Sequence, residues 1–126
     1  FDDKPLHDRL AARAAAGRPT AGVCAGTLPL ARAGVLNTRA HTSNAKGFLA
    51  ENAPGYSGER YVDAAHAITD GGVVTASGAA AASFACAVGA LVRPEQAPAV
   101  LGYWAMAKGE FEALGDDLTP VLASPE

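Results

Sequence analysis

The sequence predicts an α/β fold with a largely parallel sheet. Three observations carry that expectation. Stretches with apolar residues at helical spacing alternate with short apolar runs of the strand type. The run from Thr20 to Val23 is short and apolar enough for a strand covered on both faces, as parallel strands are. That run passes directly into Gly22-Val23-Cys24-Ala25-Gly26, which reads as a strand, a tight turn and the start of a helix. Only three or four strands can be counted, which is thin for a doubly wound sheet, and the first element is a helix.

In chain order, Leu6, Leu10 and Ala14 recur at helical spacing in the segment Phe1 to Gly17. Asp2 and Asp3 before Pro5, with Arg9 and Arg13 beyond, match the polarity of a helix, and Gly17 ends it. The strand Thr20–Val23 follows, then a helix beginning near Gly26, where Pro29 is tolerated in a first turn, and stopping at Gly34. Val35 to Arg39 is a turn, and Ala40-His41-Thr42-Ser43 a short strand. Asn44 is placed to cap a short helix from Ala45 to Glu51. Asn52 to Gly58 is turn chemistry throughout, an ordered loop anchored by Tyr56. Glu59 to Asp63 is extended. Ala67–Thr69 and Val73–Ser77 are strands joined by the turn Asp70-Gly71-Gly72. Ala79 to Val92 is a small-residue helix with Phe84, Val88 and Leu91 along one stripe, broken by Arg93-Pro94. A last helix runs from about Glu95 to Leu114, and the tail Thr119 to Glu126 is expected to be loosely held.

The 126 residues suffice for one domain, 1–126, of which 94–126 form the C-terminal helix and tail. With 49% hydrophobic and 18% charged residues the chain is globular rather than disordered. A net charge of −3, no basic block and few aromatics exclude a nucleic-acid footprint. No apolar run approaches the length of a membrane span, so no membrane partner is expected. The two cysteines, Cys24 and Cys86, lack the spacing of a disulfide framework and read as reduced, which points to the cytoplasm. Two cysteines and three scattered histidines give no metal spacing, and no phosphate-cradling loop is present, so neither metal nor cofactor is expected.

The Gly22-x-Cys24-x-Gly26 turn is the thiol version of a nucleophile elbow. A side chain at such a turn points out of the sheet edge. The helix that follows offers unpaired N–H groups, which favour a thiolate and can hold an oxyanion. The other reading of Cys24 is a small buried hydrophobe. Cys86, mid-helix, reads as packing. His7 and His66 read as solvent-facing. Thr75 and Ser77 end a strand before a helix and are placed to cap it.

Gly22-Val23-Cys24-Ala25-Gly26-Thr27, with Leu30-Ala31-Arg32-Ala33-Gly34-Val35-Leu36, resembles the ThiJ/PfpI family of class I glutamine amidotransferase-like proteins. The resemblance continues through His41-Thr42-Ser43-Asn44, Ala53-Pro54-Gly55-Tyr56-Ser57-Gly58-Glu59, Thr69-Asp70-Gly71-Gly72 and Thr75-Ala76-Ser77-Gly78, covering Phe1 to Val92. It implies a flavodoxin-like three-layer sandwich whose N-terminal strands, expected just before Phe1, are missing. Either the chain is a fragment, or those strands come from a separate N-terminal half, or the chain is a natural short form; a homodimer is the other partner the family suggests. It implies a nucleophilic Cys24, an oxyanion held by the Ala25 N–H, and a small carbonyl or amide substrate. An acidic residue from the first strand commonly assists the cysteine, and it lies outside this chain. Family histidines stand directly after the cysteine or at the end of the next strand; here those positions are Ala25 and Asn44. Asn44 can orient a water or an oxyanion but cannot act as a base near neutral pH. On a strand, His41 faces away from Asn44, so His41 reads as structural or partner-facing. Three functions follow from the resemblance: a cysteine-dependent hydrolase or amidotransferase-like enzyme, a stress-response redox sensor or holdase using the same cysteine, and an inert structural half.

Overall fold

The computed structural model describes residues 3–122. Helix α1 spans Lys4–Ala15; the Asp3 carboxylate accepts the Leu6 N–H at 3.0 Å, closing its first turn, and Arg13 stands in its last. Strand β1 is Thr20–Val23, followed by a tight 3-10 turn at Cys24–Gly26 and helix α2, Thr27–Arg32. Helix α3 is Lys46–Asn52, and strands β2, Ile68–Asp70, and β3, Val73–Ala76, precede α4, Ala81–Val92. A 3-10 turn at Pro94–Gln96 leads into α5, Ala97–Leu114, and α6 is Thr119–Leu122. The expectation of a loosely held tail concerns residues 123–126 as well, which lie outside the described residues, as do the first two positions of the expected opening helix.

The sheet has three strands in the order β1-β3-β2. β1 pairs with β3 in parallel, Thr20 opposite Val73, while β2 pairs with β3 antiparallel, Ile68 opposite Thr75. The sheet is therefore mixed, which corrects the expectation of a largely parallel one. The reason is local. Gly71 and Gly72 have φ of 57° and 77°, a two-residue turn with both residues left-handed, and such a turn returns the chain antiparallel.

Beside the sheet, Leu30, Val35, Leu36, Leu49 and Val73 form the buried core with Ala14, and Leu10, Phe48 and Tyr56 pack against it. Helices α1, α2 and α3 supply half of it, and the segment after α2 and strand β3 supply Val35, Leu36 and Val73. β3 is buried along its whole length. β1 is not: Ala21 is exposed and one long edge of the strand is unpaired. The Thr20 N–H points to β3, donating to the Gly72 carbonyl at 2.9 Å, so by strand alternation the Ala21 and Val23 amides face the open edge. The long helix α5 carries no buried residue, and Leu101, Met106 and Phe111 are 68%, 76% and 64% exposed.

The expected strand Ala40–Ser43 is reduced to a single parallel bridge between His41 and Tyr61. The His41 N–H donates to the Arg60 carbonyl and the Val62 N–H to the His41 carbonyl. His41 is fully buried and structural. The Arg39 carbonyl can only accept, so Nδ1, 2.7 Å away, carries the hydrogen; Nε2 then accepts from the Tyr56 hydroxyl at 2.6 Å. The rings of Tyr56 and Tyr61 both meet the imidazole edge to face, at 5.5 and 5.7 Å. The loop 52–58 is thus pinned by Tyr56, as its composition suggested. Burial lowers the His41 pKa below the ordinary imidazole value, the Arg39 carbonyl opposes that shift, and the charges of Arg60 and Lys46 add to it. Burial pushes the Tyr56 phenol up.

A neutral buried His41 makes stability depend on acid. Below about pH 6.5 the unfolded chain binds a proton at His41 that the folded chain excludes. The contribution is fully present above that pH and is lost as pH falls from there through the lower folded value. Thermal unfolding followed from pH 8 to pH 5 should show this decline, and His41→Gln should flatten it. An unchanged slope in the variant would assign the acid sensitivity to other groups.

Candidate active site at the Cys24 elbow

The site is built where β1 ends. Among the described residues, Cys24 is the one non-glycine with positive φ, 56°. A β-carbon in that region costs about 1–2 kcal/mol, so the turn holds the cysteine against its own backbone preference. Strain of this kind belongs to nucleophile elbows, where the side chain is thrown outward from the strand end. The thiol is exposed, which removes the reading of Cys24 as a buried hydrophobe. Gly22 makes the turn possible by close approach: a β-carbon there would stand 2.6 Å from the Gly26 carbonyl oxygen and 2.9 Å from Leu30 Cδ1.

Asn44 is brought to the sulfur. Its amide Nδ2 donates to Cys24 Sγ at 3.3 Å, and its Oδ1 accepts the Gly78 N–H at 2.8 Å. The backbone N–H can only donate, so it fixes which end of the amide meets the sulfur. This corrects the expected capping role: α3 begins after Ala45, with no side-chain cap, because the Asn44 amide is engaged at the elbow. The α4 caps expected of Thr75 and Ser77 are likewise not made; the residue before α4 is Ala80, without a side-chain cap. Instead Thr75 Oγ1 accepts the Thr42 N–H at 2.9 Å and ties the Asn44 segment to β3.

Under the turn, the Thr27 hydroxyl donates to the Cys24 carbonyl at 2.7 Å and lies 2.7 Å from the Ser43 hydroxyl. The Ala25 N–H lies in the first turn after β1, where helix geometry supplies no intrahelical acceptor. Cys24, Ala25 and Asn44 therefore stand together. The remaining histidines do not join them: His41 is buried against the tyrosines, and exposed His66 lies 2.9 Å from the Ala67 carbonyl. Cys86 is partly buried and approaches the Val100 carbonyl in the groove between α4 and α5. No group of three or more potential metal ligands occurs among the described residues. No described helix is long and apolar enough to cross a membrane.

Sequence reasoning missed Gly78, Thr27 and Ser43 as parts of the site. Gly78 was visible in the Thr75–Gly78 motif, yet its closeness to a sulfur 54 positions earlier is a product of the fold. A β-carbon at 78 would stand 3.1 Å from Cys24 Sγ and 3.6 Å from Asn44 Oδ1. Gly78→Ala should push the sulfur from the Asn44 amide and slow Cys24 alkylation about threefold to tenfold, the worth of one hydrogen bond. Peptide-resolved alkylation with Cys86 as reference measures it, and an unchanged rate would mean the sulfur does not depend on that contact.

A strained, exposed cysteine at a strand-to-helix turn on a helix-flanked sheet defines an α/β protein of the cysteine-elbow class. The chain belongs to the DJ-1/PfpI family, whose family model matches residues 2–90. It is 42% identical over 72 residues to a Bacillus subtilis protein described as the uncharacterized protease YoaZ, covering 57% of this chain and 34% of that protein. Among solved structures it is similar to a DJ-1 superfamily protein from Agrobacterium tumefaciens, with TM-score 0.67 and 36% identity, over 83% of this chain and 57% of that one. A thiJ/pfpI family protein from Bacillus anthracis gives TM-score 0.63 and 37% identity over 68% of this chain and 41% of that one. The chain thus spans about a third of the length of the YoaZ protein it matches. The fold is a partial DJ-1-like α/β fold with a small mixed sheet.

Proposed function

We propose that the protein is a cysteine-dependent hydrolase or amidotransferase-like enzyme acting on a small carbonyl or amide substrate through Cys24. The single observation that carries this reading is the strained positive-φ backbone that presents an exposed sulfur beside a fixed amide donor. The sulfur attacks the electrophilic carbon, its electron pair forming the C–S bond while the carbonyl π pair moves to oxygen. The Ala25 N–H donates to the resulting oxyanion. Asn44 orients the sulfur and takes no proton. Among the described residues the side chain that hydrogen-bonds the sulfur is that amide, so the proton acceptor comes from water, from the substrate or from outside residues 3–122.

The unpaired edge of β1 supports a partner reading: a further strand, from an N-terminal half or a second copy, pairs there and completes a flavodoxin-like three-layer sandwich. Two free cysteines fit a reducing, cytoplasmic setting. A second reading, a redox sensor or holdase, is favoured by the same exposed sulfur standing beside an amide rather than a base.

The test is a screen of small aldehydes, dicarbonyls and amides before and after alkylation of Cys24. Turnover that disappears on alkylation and survives in Cys86→Ser supports the enzyme. Full activity in Cys24→Ala would end it. Absence of turnover together with peroxide modification of Cys24 ahead of Cys86 would favour the sensor.

A further inference from the structure

We infer that Ser43 is a positioning residue for Cys24, acting through Thr27 on the carbonyl of the strained turn. The inference rests on the reading of Cys24 as the reactive group and deepens it. The hydroxyl of Thr27 holds one hydrogen, and the Cys24 carbonyl, 2.7 Å away, can only accept it. The Ser43 hydroxyl, 2.7 Å from Thr27 Oγ1, must then be the donor to Thr27. The chain of hydrogen bonds has one direction: Ser43 to Thr27 to the Cys24 carbonyl. Thr27 is fully buried and Ser43 is 3% exposed, so bulk water does not replace either link readily. Bonds in such a chain polarise one another, and the one that reaches the elbow is strengthened by the one behind it.

What the chain holds is specific. It ends on the peptide carbonyl of the residue with positive φ and ties that residue to the first residue of α2. Ser43 also precedes Asn44, whose amide donates to the sulfur at 3.3 Å. One segment therefore sets both the backbone of the cysteine, through the Ser43 side chain, and the donor to its sulfur, through Asn44. The Ser43 hydroxyl meets Thr27 and acts on the sulfur only through it, which makes Ser43 a positioning residue and not a catalytic one.

The experiment is peptide-resolved alkylation at pH 7 with iodoacetamide, taking Cys86 as internal reference, on the wild type, Ser43→Ala, Thr27→Val, Thr27→Ser and the double variant Ser43→Ala/Thr27→Val. Ser43→Ala and Thr27→Val should each lower the Cys24 rate relative to Cys86 about threefold to tenfold, the loss of one buried hydrogen bond. Thr27→Ser keeps the hydroxyl and should restore most of the rate. The double variant should lose no more than the worse single variant, because both interrupt one chain. A wild-type Cys24 that reacts no faster than Cys86 would remove the reactive-cysteine reading itself. An activated wild-type Cys24 with Ser43→Ala at the wild-type rate would overturn the Ser43 inference alone. Circular dichroism and thermal unfolding separate loss of fold from loss of position; should Ser43→Ala unfold, the contrast of Thr27→Val with Thr27→Ser decides the matter, and equal rates in those two would overturn it.

Discussion

Gly22→Val is expected to disassemble the elbow and much of the fold with it. The β-carbon alone would stand 2.6 Å from the Gly26 carbonyl oxygen and 2.9 Å from Leu30 Cδ1. The first obstacle is backbone and cannot rotate away. The second belongs to a leucine that is 1% exposed in the core. Relief requires β1 and α2 to separate, and valine adds two methyl groups to the same gap. Overpacking of this kind costs about 3 kcal/mol or more when backbone must move, a large part of a domain's total stability of about 5–15 kcal/mol. The variant should show a lowered denaturant midpoint and a Cys24 that no longer reacts ahead of Cys86. A midpoint equal to wild type would mean that the strand and helix do not pack as closely as described.

Under the proposed function, Cys24→Ala and Cys24→Gly both abolish turnover, and they should differ in stability. Loss of a nucleophile lowers kcat by about a thousandfold or more. Alanine keeps the β-carbon in the left-handed region at φ 56°, whereas glycine removes it. The glycine variant should be the more stable of the two by about 1 kcal/mol, after allowing for the greater freedom of its unfolded chain. Paired thermal melts read the difference. Equal melting temperatures would show that the turn stores no backbone strain. The ordering expected here is a trade between stability and reactivity at one residue.

Much of this site was legible from local chemistry. Glycines on either side of Cys24 announced the turn; close approach requires the one at Gly22, whereas a β-carbon at Gly26 would meet nothing within 4 Å. Strand alternation separated His41 from Asn44, and the fold does keep the imidazole among tyrosines and away from the sulfur. Tyr56 as anchor followed from the turn residues around it. What escaped was long-range. The Asn44–Gly78 bond joins residues 34 apart, and the Thr42–Thr75 bond residues 33 apart. Caps were expected from Asn44 and Thr75 because capping is their commonest local use, and tertiary partners took those groups first. The sheet was expected to be largely parallel from the alternation of elements, although the Gly71-Gly72 turn already required one antiparallel pair.

The bare edge of β1 has a practical corollary for anyone handling the protein. Ala21 and Val23 present amides with no partner among the described strands, on a strand without charge, proline or bulge to discourage a neighbour. Two such edges can pair with each other, and that pairing uses up both. The state of the sample then becomes a function of concentration and storage time. Solutions kept dilute should retain single-exponential cysteine kinetics, while concentrated ones shift toward a dimer by light scattering and protect the Ala21 and Val23 amides from exchange first. Ala21→Lys should suppress that shift and leave the Cys24 alkylation rate alone.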